Sequence, residues 1–395
     1  MPRRQRERDG QPIRPPVRAG APRRARPSAK HHGMWMSSRG LAALLFFTLF
    51  QFSLLDGPMW LARAADRFGW LAQVLGALLG LVVVLAILDL AARFPGQTVY
   101  QYAGAILPRP VAFAANGALL SYSLLFLGYF LRQFVDVVQT YLLPRTPSWA
   151  IATLVVAGIV LVVGLGPLAL NRLAQMLLVP VLAAAGTMFL LSLRNVDPLH
   201  LLPLWPVPAT VLAAAPTAGF APFIPIKHLT VQLATVRDPR RQVRTVVGVY
   251  LGVAAFKVAV TAATLATFSP RAVALMGWPT LEALRIVQVP LALLEELGLP
   301  GLVVYQVVLF VSSAVYFVTD YIGLPVWLGL GPRAMPYLLP ALAVGALAVG
   351  LWPQDQSQMD ALRRVVVYGG LYAAAAYPLL LWAVARLRRL GVAPP

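Results

Sequence analysis

The fold class follows from residues 41–62, which read LAALLFFTLFQFSLLDGPMWLA. The stretch is apolar over the ~20 residues that a helix needs to cross a bilayer. Near its end stands Leu55-Asp56-Gly57-Pro58, where the proline removes a backbone N–H and the glycine weakens the helix. The stretch therefore predicts a transmembrane helix that is interrupted partway through.

Long apolar runs recur along the rest of the chain. The sequence is 59% hydrophobic and 12% charged, and its apolar runs lack the alternation of a membrane β-strand. Continuous runs favour helices, because each helix satisfies its own backbone hydrogen bonds in lipid. The sequence predicts an all-α integral membrane protein of about ten transmembrane helices. The predicted spans are residues 41–62, 69–92, 111–143, 149–166, 168–193, 209–226, 245–268, 300–328, 334–352 and 365–386.

The chain divides into a basic tail, residues 1–38, and a membrane domain, residues 39–390. The tail holds nine Arg and Lys30 against two acidic residues, with many Pro and almost no large apolar residues. Such a segment cannot bury enough apolar surface to fold, so we expect a disordered arm. We expect it to lie against anionic lipid headgroups and not to bind nucleic acid.

The distribution of basic residues predicts the orientation in the membrane, because positively charged loops stay in the cytoplasm. With the N-terminus inside, the loops assigned to the inner side carry more Arg and Lys than the outer loops, and the tail increases the difference. Both termini are therefore expected to be cytoplasmic, which requires an even number of spans. On this assignment Arg363 and Arg364 lie in an outer loop.

A second predicted span is also interrupted. The sixth contains Pro216-Thr217-Ala218-Gly219, followed by Pro222 and Pro225. The two interrupted spans are five spans apart, as expected for two inverted repeats of five spans each. Corresponding interruptions in two repeats are the sequence sign of a transporter-type binding site near the middle of the bilayer. The alternative is that these residues are isolated kinks, which membrane helices tolerate.

The interruptions suggest the chemistry of a ligand. Freed N–H groups can hold a carboxylate and freed carbonyls an ammonium, so a small zwitterion such as a free amino acid fits. Gly57 and Gly219 are the positions where the backbone could approach it, since neither has a side chain. The other candidate substrate-binding residues are Gln51, Ser53, Leu55, Asp56, Tyr122, Thr217 and Phe220. For Tyr122 the alternative is plain packing with a satisfied hydroxyl.

Charged residues at membrane depth form a possible ion or proton site. Asp56 could bind an ammonium or a proton, or cap the helix that follows it. Lys257 could replace a coupling cation, although we expect a structural ion pair with Asp56 or Asp320. Ser312 and Ser313 could offer hydroxyls to an ion or make a helix contact.

Two further charge pairs are spaced to neutralise each other. Arg132 and Asp136, and likewise Asp89 and Arg93, stand four residues apart on predicted helices and so share a helix face. We expect no catalytic role for either pair.

Enzyme motifs are absent from the sequence. It has no cysteine, no P-loop, no His-Glu-x-x-His and no Gly-x-Ser-x-Gly. We therefore predict that the protein is not an enzyme and holds no metal or other cofactor.

A set of short marks in a fixed order resembles the B subunit of endospore germinant receptors, a branch of the amino acid-polyamine-organocation permease superfamily. The resemblance covers roughly residues 39–390. The marks are the first interruption ending near Gly57, Arg93-Phe94-Pro95, Thr98, Tyr102, Leu131-Arg132, Phe134, Asp136, Leu143-Pro144-Arg145-Thr146-Pro147, Asn171-Arg172, Trp278-Pro279-Thr280-Leu281-Glu282 and Arg285-Ile286.

The resemblance implies a LeuT-like 5+5 inverted repeat with broken helices 1 and 6, located in the inner membrane of a spore. It implies assembly with a receptor A subunit and a lipoprotein C subunit, and sensing of a small nutrient, typically an amino acid. The chain departs from the family in three ways. Leu55 replaces the first glycine of a Gly-x-Gly, Ala62 replaces a proline, and the Arg/Pro-rich tail is an addition.

Three functions remain open at this point. The leading one is a nutrient-sensing receptor subunit that signals through its partner subunits. The second is an amino acid permease coupled to protons through Asp56 or Lys257. The third is a membrane scaffold of a receptor complex that has lost its ligand, which Leu55 in place of glycine suggests.

Overall fold

The computed structural model of the chain describes residues 36–291 and 294–391. The predictions for the basic tail therefore fall almost entirely outside the described residues. Within them the chain is helical, with one small antiparallel hairpin, β1 (Gln288–Leu291) and β2 (Leu294–Glu296). The α-helices are α1 (Ser38–Phe50), α2 (Gly57–Ala65), α3 (Gly69–Arg93), α4 (Val99–Ile106), α5 (Arg109–Tyr141), α6 (Ser148–Gly164), α7 (Pro167–Ser192), α8 (Thr210–Ala214), α9 (Leu229–Gln232), α10 (Val243–Phe268), α11 (Pro270–Val273), α12 (Pro279–Arg285), α13 (Gly298–Leu328), α14 (Met335–Leu351), α15 (Gln356–Gly370) and α16 (Tyr377–Leu387).

Seven helical segments of the described residues are long and apolar enough to cross a membrane. Two shorter apolar helices, α1 and α6, accompany them. The chain is thus an all-helical membrane protein with at least seven candidate spans. The seven segments are Gly57–Arg93, Arg109–Tyr141, Pro167–Asn195, Pro239–Phe268, Gly298–Leu328, Pro332–Leu351 and Gln356–Leu387.

Most predicted spans coincide with single helices. The helices α3, α5, α6, α7, α10, α13 and α14 begin and end within two residues of the predicted bounds. The tight turn expected between the fourth and fifth spans lies between α6 and α7. It requires Gly166, whose φ is 95°, a conformation that only glycine adopts without strain.

The prediction for the last span was wrong at its start. It placed the span at residues 365–386, but α15 begins at Gln356 and is followed by a π-helical segment, Leu371–Ala376, and by α16. Arg363 therefore lies inside a helix and not in an outer loop. Arg363 and Arg364 lower the local hydropathy, so the first half of α15 does not resemble a membrane span in the sequence. The Asp355 side chain, which accepts a hydrogen bond from the Gln358 N–H, marks the true start.

Two stretches depart from regular α-helix, and both lie where the sequence predicts interruptions. Between α1 and α2, residues 51–56 form turns and bends, and Ser53 has a positive φ of 58°. After α8 the chain forms a π-helix over Ala215–Gly219 and a 3₁₀-helix over Ala221–His228. We call residues 51–56 the first irregular segment and residues 215–228 the second.

Candidate functional site

Aromatic side chains fill the space between the first irregular segment and α5. The ring of Phe52 lies 5.4 Å from that of Phe126, 6.1 Å from Tyr129 and 5.5 Å from Phe130, centroid to centroid. Phe52, Phe126 and Phe130 have no exposed surface, and Tyr316 of α13 packs 5.0 Å from Phe130. We call these five rings the aromatic cluster.

The two irregular segments meet at Lys257 of α10. Its Nζ donates to the carbonyl oxygens of Phe52 at 2.7 Å and Pro222 at 2.9 Å, one from each segment. The side chain is 2% exposed. Irregular backbone leaves carbonyls without helical partners, and such carbonyls are the usual ligands of a coupling cation in transporters. The ammonium thus occupies a position that suits a cation.

The expected ion pair of Lys257 with Asp56 or Asp320 was wrong. Asp56 pairs instead with Arg363, and no salt bridge within the described residues joins Lys257 to a carboxylate. The reason is local: the two carbonyls that the irregular segments leave free already satisfy the ammonium.

Asp56 is neutralised inside the protein. Its Oδ2 accepts from Nη1 of Arg363, which also donates to the Tyr129 hydroxyl at 2.8 Å. The guanidinium carbon lies 4.5 Å from the centre of the Trp60 ring. Asp56 occupies the N-cap position of α2 but makes no capping bond with its side chain, so the alternative of a side-chain cap was wrong. Arg363 is the residue that sequence reasoning missed, because the start of its helix was misplaced.

Polar groups of the first irregular segment keep unused hydrogen-bonding capacity. Gln51 donates through Nε2 to the hydroxyl of Tyr305 at 3.0 Å and to Oε1 of Gln133 at 3.5 Å. Its own Oε1 and the Ser53 hydroxyl are buried and have no hydrogen-bond partner among the described residues. A ligand reaching this segment would find both an amide oxygen and a hydroxyl available.

A cavity of about 70 Å³ lies beside the first irregular segment. It is lined mainly by apolar side chains, with Leu54 and Leu55 on one side, α7 and α10 on the others, and Tyr305 of α13. Of the predicted site residues, Leu55 alone lines this cavity. The leucine that replaces the expected glycine therefore forms part of an apolar wall.

The two predicted glycines are in different surroundings. A Cβ on Gly57 would meet one neighbouring atom, Cβ of Ser53 at 3.2 Å, so space remains beside it. A Cβ on Gly219 would lie 2.1 Å from the carbonyl oxygen of Ala72 in α3. The space that a side chain on Gly219 would take is occupied by α3, so on that side the glycine admits a neighbouring helix.

Three other candidate residues make packing contacts. The Tyr122 hydroxyl donates to the Val366 carbonyl at 3.0 Å, which is the packing alternative considered for this residue. Thr217 is half-buried and donates to Ala214 in its own helical turn at 3.4 Å. Phe220 has no exposed surface and belongs to the apolar core.

The two serines of α13 differ. Ser312 lies against the carbonyl of Phe47 at 2.6 Å and that of Val308 at 2.7 Å, so it joins α13 to α1 as a helix contact. The Ser313 hydroxyl is buried with no partner among the described residues.

Both charge pairs predicted on helices form. Arg132 Nε lies 2.8 Å from Asp136, and Arg93 Nε lies 3.0 Å from Asp89. Asp89 also accepts from Arg386 of α16 at 3.1 Å, so it joins the ends of two helices.

Comparisons with solved structures identify the fold. The chain is similar to a Na⁺-coupled sialic acid symporter in a substrate-bound outward-open state, with a TM-score of 0.61 and 11% identity, over 87% of this chain and 79% of that one. It is also similar to a nucleobase-cation-symport-1 family transporter in a closed conformation with bromovinylhydantoin bound. There the TM-score is 0.59 and the identity 13%, over 90% of this chain and 94% of that one. The fold is therefore LeuT-like.

Sequence comparisons identify the family. The family profile described as spore germination protein, or spore permease, matches residues 36–359. The chain is 24% identical to spore germination protein YndE of Bacillus subtilis (strain 168) over 327 residues, which are 82% of this chain and 88% of that protein. The predicted resemblance is thus confirmed: the chain belongs to the spore germination protein family of permease-like membrane proteins, which are not enzymes.

Proposed function

We propose that the chain is a nutrient-sensing subunit of a germination receptor, and that it binds a small nutrient of the amino acid class beside the first irregular segment. The observation that carries the proposal is that this segment holds two buried polar atoms without partners among the described residues, while its Leu54 and Leu55 line a cavity. The Gln51 amide oxygen and the Ser53 hydroxyl are buried without partners among the described residues. Buried polar groups are normally satisfied, so unsatisfied ones mark a place where a ligand gains affinity.

The surroundings favour a particular chemistry. The amide oxygen of Gln51 can accept from an ammonium, and the N–H of Gly57 at the start of α2 can donate to a carboxylate, because a helix N-terminus is positive. Leu54 and Leu55 line an apolar cavity that suits an aliphatic side chain. We therefore expect small apolar amino acids to bind better than charged ones.

The finer architecture belongs to the same proposal. It consists of ten spans in a 5+5 inverted repeat with spans 1 and 6 broken, and of cytoplasmic termini in the inner membrane of a spore. The partners in this proposal are a receptor A subunit and a lipoprotein C subunit, with anionic lipid bound by the basic tail. Ligand binding would shift a conformational equilibrium that the partner subunits detect.

A proton-coupled amino acid permease is the second candidate, and one observation favours it. The Lys257 ammonium lies between carbonyls of both irregular segments, at 2.7 and 2.9 Å. If Lys257 loses its proton, the positive charge between the two irregular segments disappears. Movement of the segments relative to each other would then be coupled to the release of a proton. Uptake driven by a proton gradient would support this candidate over a sensor.

The first experiment measures the melting temperature of the purified protein with a panel of L-amino acids, since a ligand that binds only the folded state raises it. Gly57→Trp fills the space beside the first irregular segment and should abolish the ligand-dependent shift while the protein stays folded. Gly248→Trp is the matched control, because Gly248 is exposed on α10 with nothing within 4 Å of its Cβ position.

The outcomes separate the candidates. A saturable shift that Gly57→Trp loses and Gly248→Trp keeps supports a ligand site at this segment. An unchanged shift in Gly57→Trp contradicts the site. If no ligand shifts wild-type protein alone or with its partner subunits, the ligand-less scaffold is favoured. Flux measurements in vesicles with and without a pH gradient then distinguish sensing from transport.

A further inference from the structure

A second group of buried polar side chains lies on the other side of the aromatic cluster from Asp56. Lys227 and His228 come from the second irregular segment, Ser123 from α5, and Thr319 and Asp320 from α13. Each is at most 5% exposed. On α5, Ser123 is six residues before Tyr129, which contacts Arg363, so the two groups are about 9 Å apart along the helix axis.

Lys227 has an unusual set of neighbours for a buried cation. Its Nζ donates to the Ser123 hydroxyl at 2.6 Å and lies 5.4 Å from the ring centre of Tyr122 and 5.2 Å from that of Phe126. No carboxylate within the described residues lies within salt-bridge distance of it. A buried ammonium held by a hydroxyl and two rings is not fully neutralised.

Asp320 is the complementary group. The Asp320 carboxylate lies near Ser123, the side chain that accepts from Lys227. The other carboxylate oxygen, Oδ2, is buried and has no hydrogen-bond partner among the described residues. An unpartnered carboxylate oxygen in the interior is unstable as an anion, and adding a proton removes its charge.

The hydrogen bonds of Thr319 favour one tautomer of its neighbour His228. The Thr319 hydroxyl has one proton, and carbonyl oxygens of its own helix lie at 2.7 Å (Tyr316) and 3.2 Å (Val315) to receive it. When the Thr319 proton goes to one of these carbonyls, Oγ1 accepts from Nδ1 of His228, at 2.7 Å. In this arrangement Nδ1 carries the proton and Nε2 holds a lone pair, and Nε2 is buried with no partner among the described residues.

We propose that Lys227, Ser123 and Asp320, with His228 beside them, form a buried proton-binding site. The proton comes from water and adds to Oδ2 of Asp320 or to Nε2 of His228, and no bond between heavy atoms changes. A proton is the ligand that this group can take without a cavity.

The site joins three elements, so its protonation bears on how they pack. The titratable groups that face it are Lys227 and His228 of the second irregular segment, Tyr122 of α5, Tyr316 of α13 and Tyr100 of α4. Protonating Asp320 removes a negative charge that attracts the Lys227 ammonium. The contact of α13 with α5 and the second irregular segment then weakens, which makes the packing of these elements depend on pH.

The test is infrared difference spectroscopy of the protein in lipid on stepwise acidification. A buried carboxyl group that takes up a proton gains a carbonyl stretching band at high frequency. We expect this band in wild-type protein, its loss in Asp320→Asn, and its retention in Asp136→Asn. The proposal is overturned if the band persists in full in Asp320→Asn, or if wild-type protein shows no such band.

Two further variants keep the test decisive if Asp320→Asn does not fold. Lys227→Met removes the positive charge that favours the carboxylate, so the band should appear at a higher pH, whereas Lys227→Arg keeps that charge and should shift it less. Asp320→Glu should move the band in frequency. Spectra of all three identical to wild type would exclude the site.

Discussion

At the residue scale, the membrane domain accommodates its buried charges in different ways. Asp56 of the first irregular segment and Arg363 of α15 neutralise each other, with the Tyr129 hydroxyl and the Trp60 ring as further neighbours. Lys257 has no such counter-ion and is held by two backbone carbonyls. Removing Arg363 therefore leaves a buried carboxylate without a counter-ion, whereas removing the Lys257 ammonium leaves two carbonyls without a donor.

For the ion pair we predict that Arg363→Met destabilises the protein by about 3–5 kcal/mol, because it leaves the Asp56 carboxylate buried and unpaired. The double variant Asp56→Leu with Arg363→Met should recover most of the loss. Thermal unfolding in one detergent measures both. Arg241→Met, which breaks an exposed pair with Asp238, is the control and should have little effect. A double variant as unstable as the single one would show that the charges do not act as a pair.

For Lys257 we predict that Lys257→Met lowers the melting temperature more than it changes the order of ligand preference. Each lost hydrogen bond from a charged donor costs roughly 1.5–3 kcal/mol, and two carbonyls lose their donor. Arg333→Met, at an exposed position, is the control for loss of a positive charge. A normal melting temperature together with lost ligand shifts would instead assign Lys257 to the ligand.

At the element scale, glycines decide how closely α3 approaches the second irregular segment. A Cβ on Gly76 would lie 2.1 Å from the carbonyl carbon of Gly219, and a Cβ on Gly219 would lie 2.1 Å from the carbonyl oxygen of Ala72. The two backbones are therefore in direct contact. Small residues at helix interfaces in membranes permit this kind of packing.

We predict that Gly76→Val separates α3 from the second irregular segment and lowers the melting temperature strongly, since neither backbone can move aside cheaply. Gly248→Val adds the same side chain to a helix whose glycine faces open space, so it should be tolerated. Comparable stability of the two variants would contradict the close contact.

At the scale of the whole molecule, orientation in the membrane is the prediction with the widest consequences. The chain has no cysteine, so single cysteines can be introduced without removing any. We predict that Thr146→Cys, between α5 and α6, reacts with a membrane-impermeant maleimide on intact cells. Ser28→Cys and Ala393→Cys should react only after the membrane is permeabilised, because both termini are expected to be cytoplasmic.

The opposite labelling pattern would reverse the orientation. Labelling of one terminus on intact cells and of the other only after permeabilisation would require an odd number of spans, and so would exclude the ten-span count.

The sequence by itself determined the class of the protein and most of its helices, because a helix in lipid must be apolar over its own length and that property is local. The same reasoning located the two irregular segments, since Gly57-Pro58 and the prolines after Gly219 act on their own backbone. It misplaced the start of α15, because Arg363 and Arg364 lower the mean hydropathy around the first half of that helix.

The tertiary structure alone decided which groups meet. Asp56 and Arg363 are 307 residues apart in the chain. A local sequence pattern cannot pair residues at that separation. The sequence is equally compatible with a carboxylate partner for Lys257 and with a ligand beside Gly219. The structure instead places two free carbonyls at Lys257 and packs α3 against Gly219. Which group a buried charge pairs with depends on the distances between helices. Sequence patterns describe one helix at a time and carry no information about those distances.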